Sequence, residues 1–193
     1  MNKNCLLCGV GGQGVVLASK LIAYAAMEKG QQVRASETIG MAQRGGSVVS
    51  HVRMGEEIHS PLIPHGSADV IIAFEPAEAV RALPYLKADG QVIVNKKAVK
   101  PTTSTLSGQV YEGTEMIEYL KKTVQNLVVV DGDAICESAG SARVLNVALL
   151  GAAVASGALD VTLEEMETAI RANGKEQFFV MNKQALELGA KER

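Results

Sequence analysis

A run of glycines near the amino terminus constrains the fold more than any other feature of the chain. Gly9–Gly14 has the pattern G-x-G-x-x-G and separates an apolar, strand-like segment, Asn4–Gly9, from a helix-like segment, Gln13–Lys29. In nucleotide-binding folds the first glycine permits the tight turn, the second lets the backbone approach a phosphate, and the third lets the helix pack on the strand. N–H groups at the start of the helix attract anions. The predicted ligand-binding residues of this loop are Gly11, Gly12, Gln13 and Gly14. The alternative is that the glycines serve only turn and packing.

Short apolar segments alternate with helix-like segments along the rest of the chain. The predicted strands are Gln32–Ser36, Ser47–Met54, Asp69–Phe74, Gln91–Asn95 and Leu127–Val130, and a turn at Gly55-Glu56 into Ile58 predicts a hairpin. The predicted helices are Pro76–Leu83, Thr114–Val124, Ala142–Ser156, Thr162–Ala172 and Lys175–Leu188. This order predicts an α/β fold: a doubly wound, mostly parallel Rossmann-like sheet with an inserted β-hairpin and C-terminal helices. We expect a single domain, residues 1–193.

Charge and composition exclude several classes of protein. The net charge is −2, which provides no basic field for nucleic acid. The longest apolar run, Val144–Ala155, is too short to span a membrane. Three cysteines indicate a reducing compartment, so we expect the cytoplasm. Hydrophobic residues make up 47% of the chain but aromatic residues only 4%. Small aliphatic side chains must fill the core, or part of the apolar excess lies on a covered surface.

The cysteines and histidines favour structural roles. Cys5 and Cys8 are three residues apart in a predicted strand and should point to opposite faces of the sheet. His51 lies in an apolar strand, which favours a hydrogen-bonded core residue over a base. His59 and His65 lack a metal-ligand spacing. The sequence therefore predicts no metal site and no catalytic residue in this chain.

Two charged residues follow the second predicted strand, in a loop expected at 37–46. Glu37 lies 23 residues after Gly14, close to the spacing at which an acid binds a ribose hydroxyl in dinucleotide-binding proteins. Arg44 precedes Gly45 and Gly46, a pattern suited to clamping a carboxylate or phosphate. A solvated surface arginine is the equal alternative for Arg44.

A third candidate lies near the carboxyl-terminal helices. Arg143 and Asn146 fall on one face of a predicted helix, where they either cap neighbouring loops or contact a ligand.

Four motifs in order resemble the gamma-type domain of 2-oxoacid:ferredoxin oxidoreductases. They are Gly9–Gly14, Ser36–Arg53, the strand-to-helix turn Asp69–Pro76, and Asn146–Gly151. Within that family, Gly40–Val48 is most similar to the form found in small beta subunits of indolepyruvate:ferredoxin oxidoreductases.

The resemblance implies a part in converting an aryl-2-oxo acid, coenzyme A and oxidised ferredoxin into acyl-CoA, carbon dioxide and reduced ferredoxin. It implies that thiamine diphosphate, magnesium and [4Fe–4S] clusters belong to a large alpha partner subunit, through which ferredoxin is reached. Three cysteines are too few for a four-thiolate cluster.

What the resemblance implies for this chain is an anion-binding role for the glycine loop and Arg44–Gly46, with the phosphates of coenzyme A as the expected group. Two alternatives stay open: a stand-alone NAD(P)-binding oxidoreductase that uses Glu37, and a nonenzymatic assembly subunit.

Overall fold

The computed structural model describes residues 2–40, 45–99 and 111–192. Its six strands are β1 (Lys3–Val10), β2 (Gln32–Ile39), β3 (Ser47–Gly55), β4 (Ala68–Ala73), β5 (Leu86–Asn95) and β6 (Asn126–Val130). Its α-helices are α1 (Val15–Glu28), α2 (Pro76–Ala82), α3 (Thr114–Thr123), α4 (Gly132–Ala139), α5 (Leu145–Ala155), α6 (Leu163–Asn173) and α7 (Phe179–Gly189). Short 3₁₀ turns lie at Leu83–Tyr85, Ala142–Val144 and Glu176–Phe178.

The strands form one mixed sheet in the order β2-β3-β1-β4-β5-β6. β1, β4, β5 and β6 are parallel neighbours, whereas β3 pairs antiparallel with both β1 and β2. The predicted mostly parallel α/β sheet is thereby confirmed. Ligands of open α/β sheets bind outside the carboxyl ends of the strands where the chain changes direction. In this sheet that position is the gap between the ends of β1 and β4.

The position of the hairpin was predicted wrongly. The antiparallel partner of β3 is the preceding strand β2, with Glu37 opposite Ser50, and not a segment beginning at Ile58. β2 also extends to Ile39, so that Glu37 lies within a strand and not in a loop. Ile58 is buried without belonging to a strand. Ile58, the apolar residue that suggested a second strand of the hairpin, is therefore explained by its burial in the core and not by strand pairing.

Each face of the sheet packs against its own set of helices. α1 and α4 to α7 cover one face, and α2 and α3 cover the other. Neighbouring residues of β1 divide between the two cores: Cys5 and Leu7 belong to the first, and Leu6 and Cys8 to the second. The doubly wound arrangement and the opposite orientation of the two cysteines agree with the prediction.

One helix was not predicted, and two were only partly correct. α4 follows β6 directly, with the Asp131 side chain accepting a hydrogen bond from the Ala134 N–H at 3.2 Å. The predicted helices beginning at Ala142 and Lys175 instead open with 3₁₀ turns. The capping box of α6 formed as expected, because Thr162 and Glu165 each accept the other's backbone N–H.

The last helix docks through two glycines. Gly151 of α5 faces the carbonyl oxygen of Leu186 in α7, and Gly189 of α7 faces the carbonyl oxygen of Ala148 in α5. A Cβ atom at either glycine would collide with that carbonyl. The two backbones therefore approach as closely as glycine permits, which is one way in which a chain poor in aromatic residues fills its core.

Within the described ranges, no helix is long and apolar enough to cross a membrane.

Candidate functional site

The glycine loop connects the end of β1 to the start of α1. Gly12 and Gly14 have φ angles of +101° and +86°, which L-amino acids with side chains rarely adopt. Gly14 is the N-cap of α1 and has no side chain with which to cap the helix, and no acid lies in the first turn. The first intrahelical bond runs from the Ala18 N–H to the Gly14 carbonyl at 3.0 Å. N–H groups at such a helix start can bind an anion, and anion binding by this loop stays a prediction.

The Gln13 side chain braces this loop from inside. Its Nε2 donates to the Phe74 carbonyl at 3.0 Å, and its Oε1 accepts the Val10 N–H at 2.8 Å. Gly9 admits this arrangement, because a Cβ there would lie 2.8 Å from both Gln13 Oε1 and Phe74 Cβ. The Gln13 side chain thereby joins the carboxyl ends of β1 and β4 across the gap. Sequence reasoning placed Gln13 among the ligand-binding residues; the structure gives its side chain a bracing role.

A second pair of glycines, Gly45 and Gly46, lies directly against the glycine loop. The Gly11 N–H donates to the Gly46 carbonyl at 2.8 Å, and the Gly40 N–H donates to the Ser47 carbonyl at 2.9 Å. Gly45 has a φ angle of +72°. The structure therefore brings Gly45 and Gly46 together with the glycine loop, as expected for a shared site. Arg44 lies outside the described residues.

Asn146 reaches the same place from α5. Its side chain lies beside Gly14, so that a Cβ at Gly14 would be 3.2 Å from Asn146 Nδ2. Asn146 is 3% exposed, and no hydrogen-bond partner reaches its Oδ1 among the described residues. Arg143, one turn earlier, is exposed. Asn146 is thus adjacent to the predicted loop, whereas Arg143 lies at the surface.

Glu37 is displaced from the glycine loop. β3 separates its strand from β1, and the register Glu37–Ser50–Leu7 puts it level with Leu7. Leu7 precedes the end of β1 at Val10 by three residues, about 10 Å at the rise of a strand. The Glu37 Oε1 lies 3.3 Å from the Ser19 hydroxyl on α1. This position is unlike that of the ribose-binding acid in dinucleotide sites, which follows the strand next to β1.

Two buried acids at the end of β4 were missed by sequence reasoning. Glu75 is 2% exposed, accepts the Glu78 N–H at 3.1 Å as N-cap of α2, and accepts a hydrogen bond from the Tyr111 hydroxyl. Glu78 is 4% exposed and accepts the Ser47 hydroxyl at 2.6 Å, besides pairing with Arg81. The Glu78–Ser47 bond fixes the start of β3, directly after Gly45 and Gly46. For Glu75, the signal in the sequence that could have indicated a site residue was an acid shortly after an apolar strand.

These acids also affect their neighbours. Burial, and secondarily the hydrogen bond to Glu75, raises the pKa of the Tyr111 hydroxyl. Burial, with Glu78 and Glu75 nearby, raises the pKa of the Cys8 thiol well above its ordinary value. Both groups are therefore protonated at neutral pH and are poor nucleophiles.

Asn95 ties the parallel strands together. It ends β5, is 1% exposed, donates from Nδ2 to the Phe74 carbonyl at 3.3 Å and accepts the Gly132 N–H at 3.3 Å. The Phe74 carbonyl thus receives both Gln13 and Asn95. This shared acceptor holds the ends of β1, β4 and β5 in one rigid edge.

His51 has a structural role, as predicted. It is 6% exposed, its Nδ1 accepts the Ile63 N–H at 3.1 Å, and its ring packs edge-on against Tyr85. Burial lowers the pKa of the imidazole. Over residues 2–40, 45–99 and 111–192, no three histidine, cysteine or acidic side chains group as metal ligands.

A model of the pyruvate ferredoxin/flavodoxin oxidoreductase family matches residues 4–192. The chain belongs to this family. It is 41% identical to the indolepyruvate oxidoreductase subunit IorB of Archaeoglobus fulgidus, over 98% of this chain and 94% of that protein. Identity is 32% to the common gamma subunit of the Pyrococcus abyssi pyruvate/ketoisovalerate oxidoreductases, over 84% of this chain and 82% of that one. The solved pyruvate oxidoreductase subunit PORC of Thermotoga maritima superposes with a TM-score of 0.73 at 25% identity, over 99% of this chain and 96% of that chain.

Proposed function

We propose that this chain is the small subunit of an indolepyruvate:ferredoxin oxidoreductase. The observation that carries the proposal is the 41% identity to an indolepyruvate oxidoreductase subunit over 98% of the chain, against 32% over 84% for a pyruvate/ketoisovalerate gamma subunit. The reaction is the oxidative decarboxylation of aryl-2-oxo acids to acyl-CoA with reduction of ferredoxin. Residues 1–193 act as one domain within the complex, in the cytoplasm, where the three free cysteines suit a reducing environment.

We assign the redox cofactors to a large alpha partner subunit. Cys5 and Cys8 lie on opposite faces of the sheet and are fully buried, an arrangement that does not suit cluster ligation. Thiamine diphosphate with magnesium supplies the decarboxylation chemistry on the partner, and its [4Fe–4S] clusters carry the electrons to ferredoxin. The part left to this chain is to complete the site and to hold a charged group of a substrate.

For that part we propose coenzyme A, with its phosphates held by the N–H groups at the start of α1. Three observations support this. Among the described residues Gly14 gives the helix start no side-chain cap, the Gly11 N–H donates to the Gly46 carbonyl, and Asn146 lies beside Gly14. In the sequence Arg44 precedes Gly46 by two positions. Arg44 would supply the bidentate positive charge that neutral N–H groups lack.

The complex is tested by co-expressing this chain with a tag and its large partner. We expect co-purification of a subunit that contains thiamine and iron, with indolepyruvate-dependent dye reduction that the isolated chain lacks. A stable chain that captures no such partner and reduces dye alone would contradict the proposal.

The role of Arg44 is tested in the assembled complex. Arg44→Ala should raise the apparent KM for coenzyme A about tenfold with little change in the KM for indolepyruvate, since one charged contact is lost. Lys122→Gln, on the distant helix α3, is the matched control. An unchanged KM in an intact complex would refute the role, and dissociation of the complex would make 37–46 an interface element instead.

The NAD(P) alternative is tested separately. Because Glu37 is displaced from the glycine loop, we expect calorimetry to show no heat of NADH binding to the isolated chain.

A further inference from the structure

Ser47 joins separate parts of the candidate site. It is the first residue of β3, directly after Gly46, and it pairs with Val10 at the end of β1. Its carbonyl oxygen accepts the Gly40 N–H at 2.9 Å, and its hydroxyl donates to a carboxylate oxygen of Glu78 at 2.6 Å. A single residue thus connects the end of β1, the chain at Gly40 and the start of α2.

The contacts of Ser47 close the part of the chain that carries Arg44. In the sequence Arg44 lies between Gly40 and Ser47, whose backbones are joined by the hydrogen bond just described. They approach closely, because a Cβ atom at Gly40 would lie 3.0 Å from the Ser47 carbonyl oxygen. Next to Ser47, the Gly46 carbonyl accepts the Gly11 N–H of the glycine loop at 2.8 Å. A shift of Ser47 would therefore move both Gly40 and Gly46 relative to the glycine loop.

Glu78 is a firmly held acceptor for the Ser47 hydroxyl. It is 4% exposed, and while its Oε2 accepts from Ser47, its Oε1 pairs with Arg81 one turn later in α2. Its backbone N–H donates to the Glu75 side chain at 3.1 Å, so the first turn of α2 is fixed as well. Hydrogen bonds to an ionised carboxylate are stronger than those between neutral groups. The position of Ser47 is thus determined by a buried charge on a different element of the fold.

We propose that Glu78 is a positioning residue for the anion held by the glycine loop, and that it acts through Ser47. The proposal rests on the proposed function, because it takes the coenzyme A phosphates as that anion. Glu78 itself does not contact the ligand: its charge would repel a phosphate, and both of its oxygens are engaged by Ser47 and Arg81. Its effect is to hold Gly40 and Gly46 in place beside the start of α1.

The first test measures the closure of the loop without any ligand. Ser47→Ala removes the hydroxyl and Ser47→Thr retains one. Hydrogen exchange of the Gly11 amide in the full chain should accelerate about tenfold in the alanine variant and keep its wild-type rate in the threonine variant. Ser138→Ala is the matched control, because it removes an exposed hydroxyl that donates to the Ala134 carbonyl on α4. Equal exchange of the Gly11 amide in all four proteins would overturn the proposal.

The second test is kinetic and uses the assembled complex. Ser47→Ala should raise the apparent KM for coenzyme A about fivefold, with kcat and the KM for indolepyruvate nearly unchanged, because the displaced groups bind the ligand and take no part in the chemistry. Ser47→Thr should restore the wild-type KM. A bond that served stability alone would instead lower the amount of active complex, and hence the apparent kcat, at an unchanged KM; that result would contradict the positioning role.

Glu78→Gln tests the other end of the bond. The amide keeps an acceptor oxygen for Ser47 but loses the charge, so we expect the KM for coenzyme A to rise about twofold. Glu118→Gln is the matched control and should leave the KM unchanged, because Glu118 forms with Lys121 on α3 the same i,i+3 pair that Glu78 forms with Arg81. If Glu78 faced the phosphates, removal of its charge would lower the KM, and the proposal would fail.

A double-mutant cycle separates this proposal from the proposed function. If Ser47 acts by holding the part of the chain that carries Arg44, the effect of Ser47→Ala on the KM for coenzyme A should shrink when Arg44 is also alanine, and strict additivity would count against it. A KM that rises in Arg44→Ala but not in Ser47→Ala would refute the positioning role and leave the proposed function standing. A KM that responds to neither substitution in an intact complex would refute coenzyme A binding by the loop, and the positioning role with it.

Discussion

Gln13 Nε2 lies 3.0 Å from the carbonyl oxygen of Phe74, and this contact spans the gap between β1 and β4. In an open α/β sheet that gap is where a ligand enters. Here a side chain of the glycine loop itself occupies it. A ligand of this loop must therefore lie above the brace, against the helix start, and not between the strands.

Gln13→Ala should destabilise the chain and loosen the loop. The substitution leaves the Val10 N–H without its acceptor, whereas the Phe74 carbonyl keeps the hydrogen bond from Asn95. One orphaned buried group costs about 1–3 kcal/mol. Urea unfolding should show this loss, and hydrogen exchange of the Val10 amide should accelerate. Gln177→Ala, at an exposed position, is the control; equal stability of the two variants would rule out the brace.

Gly14→Ala should combine backbone strain with a side-chain collision. The positive φ angle costs about 1–2 kcal/mol for a residue with a Cβ, and the new methyl group meets Asn146. Gly12→Ala has comparable strain but open space around it. The cost at Gly14 should fall when Asn146 is also alanine, and the cost at Gly12 should not. A double-mutant cycle by thermal unfolding measures the difference, and strict additivity at Gly14 would disprove the contact.

Gly189→Ala should reverse the usual effect of replacing a helical glycine. Alanine favours a helix over glycine by about 1 kcal/mol in the interior, and by less at the last residue, where Gly189 lies. At Gly189 the methyl group would collide with the carbonyl of Ala148 and push α5 and α7 apart. We expect a net loss of about 1–3 kcal/mol. Glu187→Ala, on the exposed side of α7, should be nearly neutral, and a stabilised Gly189→Ala variant would contradict the close packing.

Stability should fall in mild acid because of His51. Burial lowers the pKa of this imidazole in the folded state below its ordinary value of 6.5. The unfolded state therefore takes up a proton first as the pH drops below 6.5, and folding loses free energy until the lowered folded pKa is reached. His51→Gln should flatten this part of the pH profile between pH 7 and 5. His59→Gln, at an exposed histidine, should keep the wild-type slope; equal slopes in all three proteins would exclude His51 as the cause.

The sequence predicted those parts of the fold that local pattern determines. β1, the glycine loop and the Thr162 cap were correct because apolar runs, glycine spacing and a capping box are local signals. The hairpin was misplaced because β2 is a polar edge strand, whose sequence shows little of the apolar pattern that would mark it as the partner of β3. α4 was missed because eight residues of mixed polarity show too little periodicity.

The candidate site was predicted in outline but not in its bracing. The structure brings Gly46 to Gly11 and Asn146 to Gly14, and the sequence had grouped these residues as candidates for ligand binding. Their binding of a ligand stays a prediction. The Glu75–Tyr111 and Glu78–Ser47 bonds join residues more than 30 positions apart, so no single segment carries their signal. Whether a polar side chain faces a ligand or the protein interior, as for Gln13, is decided by tertiary contacts alone.

Because β3 pairs antiparallel with β1, the register between these two strands determines where Gly46 lies relative to the glycine loop. Ser47 pairs with Val10 at the site, and Val52 of the same strand is buried in the core opposite Cys5. A slip by one residue would turn Val52 to the other face and carry Gly46 away from Gly11 at the same time. The free-energy cost of moving the loop therefore arises at Val52. This residue lies five positions from Ser47 along β3, or about 16 Å at the rise of a strand. Substitutions in β3 that weaken this core contact should alter ligand affinity without touching the ligand.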